Sequence, residues 1–135
     1  MKRKILFQKW GGFSLINDSI FKILQAEFKG HSIDVIDVRD LSKENIHFYH
    51  YLVNLYYFGI EYGPDFILGH KKWKDIFSWF FSTSYMSLQM SKYLRLLASG
   101  SNYQFSFQTQ GLFNGKIKGI PHFIYTDHTT KTNLL

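Results

Sequence analysis

At 135 residues the chain is one domain's worth, able to bury roughly two-thirds of its unfolded surface. A composition that is 45% hydrophobic and 19% charged excludes a disordered or fibrous chain, and the absence of cysteine excludes disulfides and thiolate zinc sites and fits a reducing cytoplasm. The net charge of +6 suggests anionic partners, but the basic clusters Lys2-Arg3-Lys4 and Lys71-Lys72-Lys74 are short, so no nucleic-acid partner is expected.

Ile5-Leu6-Phe7 reads as a buried strand, followed by a loop from Gln8 to Gly12. The apolar run is too short for a secretory signal, and no window reaches the ~18 apolar residues of a membrane span. Ser14 can cap a helix whose Ile16, Ile20, Ile23, Leu24 and Phe28 recur at helical spacing until Gly30. The β-branched stretch Ser32 to Val38 is a second strand, so a βαβ unit with parallel pairing is expected.

Ser42 and Glu44 mark the expected start of a second helix. Its face is Tyr49, Leu52, Val53, Tyr56 and Ile60, and Gly63-Pro64 breaks it. Trp73, Ile76, Phe77 and Phe80 belong to a third helical segment. Beyond Ser82-Thr83-Ser84 a fourth carries Met86, Met90, Tyr93, Leu94 and Leu97, and Ser99 to Asn102 stops it. Tyr103 to Gln108 alternates at period two, a third strand, and His122 to Tyr125 is a fourth after a loop from Gly111 to Gly119. The expected fold is therefore α/β and Rossmann-like: a small, mainly parallel four-stranded sheet covered by helices, in one domain spanning 1–135.

Open α/β sheets bind ligands at the carboxyl ends of their strands. Those ends are the Gln8 to Gly12 loop, Asp37 to Asp40, Gln108 to Gly111 and Thr126 to Thr129. Gly11-Gly12 would let a phosphate or sugar hydroxyl approach the backbone ahead of a helix N-terminus, or form a plain tight turn, since the dinucleotide fingerprint and the P-loop are both missing. Asp127-His128 offers a titratable pair for acid–base work or for a substrate hydroxyl, against the reading of a solvated polar loop. Gln108 and Gln110 supply amide groups for hydroxyls or for their own loop. His47 and His50, three apart and without a third ligand, point to surface polarity rather than metal. Lys71-Lys72-Trp73-Lys74 followed by Ile76 to Phe81 combines cations with aromatics, which suits a membrane interface or a packed core.

Gly11-Gly12 after the first strand and "SFQTQGLFNGKIKGIPHFIYTDHT" near the end resemble family 4 glycosyltransferases of the GT-B fold. The resemblance covers the N-terminal, acceptor-side domain of that family. It implies metal-independent transfer of a sugar from a nucleotide-sugar donor to a glycan or lipid acceptor, with retained configuration and no cofactor. His128 would contact the donor sugar, Gly11 and Gly12 would lie near diphosphate and acceptor, and Gln110 and Asp127 would line the cleft. The family's C-terminal domain carries two glutamates seven residues apart. This chain has only Glu27, Glu44 and Glu61. The resemblance thus implies a truncated N-terminal half that transfers sugar only with a partner chain holding the nucleotide-sugar domain, in the cytoplasm. An incomplete half with 14 Phe, 9 Tyr and 3 Trp is also expected to expose apolar surface and self-associate. The rival expectation is a non-catalytic module that uses segment 71–81 to hold a protein or to make peripheral contact with the inner membrane face. A decayed remnant is a third.

Overall fold

The structure, a computed structural model, describes residues 3–11, 14–110 and 113–125, apart from the side chains of 14 and 42–45. Its strands are β1 (Arg3–Lys9), β2 (His31–Asp37), β3 (Tyr103–Thr109) and β4 (His122–Tyr125). Its helices are α1 (Ser14–Glu27), α2 (Val38–Asn45), α3 (Phe48–Glu61), α4 (Gly63–Ile67), α5 (Ile76–Phe80) and α6 (Ser84–Ala98), with a short 3-10 turn at Trp73–Asp75. Every strand pair is parallel, in the order β2-β1-β3-β4. The architecture is α/β and Rossmann-like, as the alternation of strands and helices predicts.

Register sorts the sheet into two unlike faces. Ile5 and Phe7 pair with Phe105 and Phe107, so one face is apolar and largely aromatic. Helix α1 covers it, placing Phe21 against Phe7 and Phe28 against Phe105, with ring centroids 6.1 and 5.2 Å apart. Leu6 and Gln8 pair with Ser106 and Gln108 on the other face. There Leu6 packs with Ala98 of α6 and with Ile117 of the segment between β3 and β4. Further along the same layer Val38, Met86, Met90, Leu94 and Phe113 form the larger cluster. Chain order therefore wraps one layer of helix on each side of the sheet, the doubly wound arrangement.

Several element boundaries differ from the sequence expectation. The single helix expected from Ser42 to Gly63 is two, α2 and α3, parted where Ile46 and His47 take extended backbone, and α2 does not begin at Ser42. It starts at Val38, directly after β2, because the Asp37 side chain caps it by accepting the Arg39 N–H at 3.0 Å. Gly63-Pro64 does end α3, but it also opens α4, since proline fits the first turn of a helix, where no backbone donor is needed. The third helical segment is short, a 3-10 turn running into the five-residue α5. Helix α6 begins where expected, because Thr83 accepts the Met86 N–H at 3.2 Å.

The expected stripe of α3 points outward. Tyr49, Leu52, Tyr56 and Ile60 are exposed, whereas Asn54 and Phe58 face inward. Asn54 donates to the Phe80 carbonyl at 2.6 Å and accepts from the Thr83 hydroxyl, which ties α3 to the junction of α5 and α6. Residues 48–80 thus form a helical arm inserted between α2 and the crossover helix α6. Among the described residues no helix is long and apolar enough to cross a membrane.

Candidate functional site

The chain leaves β1 in one direction to form β2 and passes to its other side to form β3. The carboxyl ends of β1 and β3 therefore flank the topological switch point, where open sheets of this kind characteristically form a ligand crevice. Gly11 stands on one side with φ +61°, and Gln110 on the other with φ +72°. Glycine takes this left-handed conformation freely, while a glutamine held in it is uncommon.

Neighbouring polar groups fix the β1 loop. The Gly11 N–H donates to Asp37 Oδ1 at 2.8 Å, and the same oxygen caps α2. The buried Asn17 of α1 donates to the Gly11 carbonyl at 3.4 Å and accepts from the Thr109 hydroxyl at 2.7 Å. Trp10 packs against Phe113, with ring centroids 6.5 Å apart, which anchors the loop in the α2–α6 layer. Both backbone groups of Gly11 are thus occupied, so its contribution is space rather than a donor. The Arg39 side chain lies over that space: a Cβ on Gly11 would stand 3.2 Å from Arg39 Cδ and 3.4 Å from a guanidinium nitrogen. Lys9 lies 4.0 Å from the Asp37 carboxylate. Helix α1, without an acidic residue in its first turn, starts three residues past Gly11. Lys9 and Arg39 thus stand near the Gly11 loop together with the Asp37 carboxylate, which Lys9 partly neutralises.

Across the crevice, Gln110 donates its N–H to the Tyr125 carbonyl at 2.9 Å. Its side-chain Oε1 is buried with no hydrogen-bond partner. Gln8 and Gln108, paired in register on β1 and β3, are fully buried beneath it. Gln108 donates to the carbonyls of Gln110 and Phe113 at 2.6 and 2.8 Å and accepts the Gly115 N–H at 3.0 Å. Gln8 donates to the Gly115 carbonyl, also at 3.0 Å. The two amides grip the segment after β3 from below. For Gln108 this is the loop-satisfying role that the sequence left open beside ligand binding.

Of the candidate residues, Gly11 and Gln110 come to the same edge on adjacent strands. Gly12, Asp127 and His128 lie outside the described residues. Sequence reasoning missed Arg39 and Asn17: their part depends on the Asp37 cap and on α1 lying against β3, and no local motif announces either. His47 and His50 place their rings 6.5 Å apart. His50 Nδ1 shares a hydrogen bond with the Tyr85 hydroxyl at 2.8 Å, and burial, followed by hydrogen bonding with Tyr49, pushes that phenol up to about 12. Among the described residues no group of three or more metal-ligating side chains forms.

A buried hydroxyl–imidazole pair, Ser106 and His122 at 2.7 Å, bridges β3 and β4 away from the crevice. Desolvation first, and then the Lys116 charge, holds His122 below the ordinary histidine value. A groove of about 470 Å³ opens near the amino end of β3, lined by Arg95, Tyr103 and Lys118 among others. The rule for open sheets directs ligands to the opposite edge.

No protein-family model, no curated protein and no solved structure matches the chain.

Proposed function

We propose that the chain is the acceptor-side half of a GT-B glycosyltransferase, using the switch-point crevice to hold a phosphorylated or hydroxyl-rich ligand. The observation that carries this reading is that Gly11 and Gln110, both with left-handed backbone, follow the carboxyl ends of the adjacent strands β1 and β3. Arg39 supports an anionic ligand, because its guanidinium lies beside Gly11. The buried, unpartnered Gln110 Oε1 supports a donor-bearing ligand such as a sugar hydroxyl.

In this proposal Gly11 and Gly12 leave room for the diphosphate or the acceptor, Gln110 and Asp127 line the cleft, and His128 contacts the donor sugar. Transfer from a nucleotide sugar to a glycan or lipid retains configuration and proceeds without a metal. Charge stabilisation of the departing diphosphate supplies the driving interaction. The nucleotide-binding half comes from a further domain or a partner chain.

Calorimetric titration with uridine diphosphate glucose tests the reading. The account expects weak, saturable binding that Arg39→Ala weakens about tenfold, the loss of one charge-assisted hydrogen bond. His128→Ala is expected to leave the fold intact and weaken binding of the sugar nucleotide more than binding of uridine diphosphate. Equal affinity for both ligands in wild type and both variants would remove these residues from the site.

A further inference from the structure

The arm between α2 and α6 is the least covered part of the molecule. Helix α3 is apolar almost throughout, with Glu61 as its only Asp, Glu, Lys or Arg, yet Phe48, Leu52, Leu55, Tyr56 and Ile60 are exposed. A helix apolar on every side is normally buried. Beyond it, Ile67, Leu68, Trp73 and Phe77 extend outward at 82, 67, 65 and 77% exposure. Contiguous apolar surface of this kind marks a contact with something else.

Charge identifies what that is. The arm carries three acidic and three lysine residues, so its formal charge is balanced, but two of the acids, Glu61 and Asp65, are engaged internally. Glu61 accepts the Ser84 N–H at 3.0 Å and the Ser84 hydroxyl. Asp65 pairs with Lys71 at 3.0 Å and with His70 at 3.7 Å. Asp75 starts α5 without a side-chain capping hydrogen bond, so it is the one acid that stands against the two remaining lysines. The Lys71 ammonium lies 3.9 Å from the centre of the Trp79 ring. Lys72 and Lys74 remain, both exposed, on either side of Trp73. The tip therefore presents exposed aromatic and aliphatic side chains with a small excess of positive charge, Lys72 and Lys74 against Asp75.

We infer that the arm docks on an anionic lipid bilayer through Ile67, Leu68, Trp73 and Phe77, with Lys72 and Lys74 held at the headgroup level. Tryptophan and lysine suit that level because each joins an apolar body to a polar end. The projecting side chains enter the interface, and the lysines supply the preference for negative lipid. A second copy of the chain is the less favoured occupant, because isologous contact would bring Lys72 and Lys74 towards their own equivalents. This inference stands independently of the crevice reading, since no residue is shared between the two surfaces.

Co-sedimentation of the full chain with vesicles of phosphatidylcholine, with or without phosphatidylglycerol, tests it. Binding is expected on the anionic vesicles, much less on the neutral ones, and less again as salt is raised. Lys72→Ala with Lys74→Ala is expected to weaken binding roughly thirtyfold, about fivefold for each lysine. Trp73→Ser with Phe77→Ser is expected to abolish it. Leu96→Ser, an exposed change on α6 outside the arm, serves as the control and is expected to bind normally. These side chains are exposed, so far-ultraviolet circular dichroism should match the wild type in every variant. Absence of binding, equal binding to neutral vesicles, or lysine variants that bind unchanged would overturn the proposal. So would a lipid-free dimer in sedimentation velocity that Trp73→Ser with Phe77→Ser dissolves, which would assign the face to a second copy.

Discussion

Gly115 has no side chain, and two glutamines occupy the space a side chain would need. A Cβ there would stand 1.6 Å from Gln8 Oε1 and 2.6 Å from Gln108 Oε1, both on fully buried residues. The same amides bond the Gly115 N–H and carbonyl, so displacing them strands polar groups in the interior. Gly115→Ala is accordingly expected to destabilise the fold by about 1–3 kcal/mol, read from the midpoint of a urea titration at constant slope. An unchanged midpoint would show that the segment is not gripped as described. The sequence displays Gln8, Gln108 and Gly115 as separate letters, and only the parallel register that sets Gln8 beside Gln108 makes them one device. Gly11 is the opposite case. Its place after an apolar strand was legible at once, but the groups that occupy its backbone, Asp37 and Asn17, come from β2 and α1.

At the level of elements, β1 and β4 were legible as short apolar runs, β2 as a β-branched one, and β3 and α6 from their own periods between Ser, Gly and Asn residues. Helix α3 was legible as a helix but not in its orientation. With apolar residues on nearly every side, periodicity cannot say which face is inward, and the buried Asn54, rather than a hydrophobic residue, fixes it through Phe80 and Thr83. That orientation predicts unlike costs for two apolar truncations on one helix. Phe58 packs against Phe66 and Phe80, with ring centroids 5.6 and 5.9 Å away, so Phe58→Ala should cost about 3–5 kcal/mol. Leu52 is exposed, so Leu52→Ala should stay within about 0.5 kcal/mol. Comparable losses in thermal melts of the two variants would mean that α3 is rotated or covered in solution. The start of α2 was misread for a related reason: Ser42 is a good local cap, but Asp37 caps earlier while also holding Gly11.

For the whole molecule, the hydrophobic pattern was sufficient to give the parallel sheet, because βαβ connectivity leaves few alternatives. It could not show that the loop between β3 and β4 buries Phe113 and Ile117. Nor could it show that Phe123, Ile124 and Tyr125 of the edge strand β4 stay exposed. The same topology sets Gly11 and Gln110 across the switch point, and the proposed function depends on that placement. Amide chemical-shift mapping of the isotopically labelled chain during titration with uridine diphosphate glucose is the most direct test. The account predicts saturable shifts concentrated at Gly11, Arg39 and Gln110, with the arm from 48 to 80 unmoved. Shifts confined to the groove near Tyr103 and Lys118, or no saturable shift at the carboxyl edge of the sheet, would contradict it.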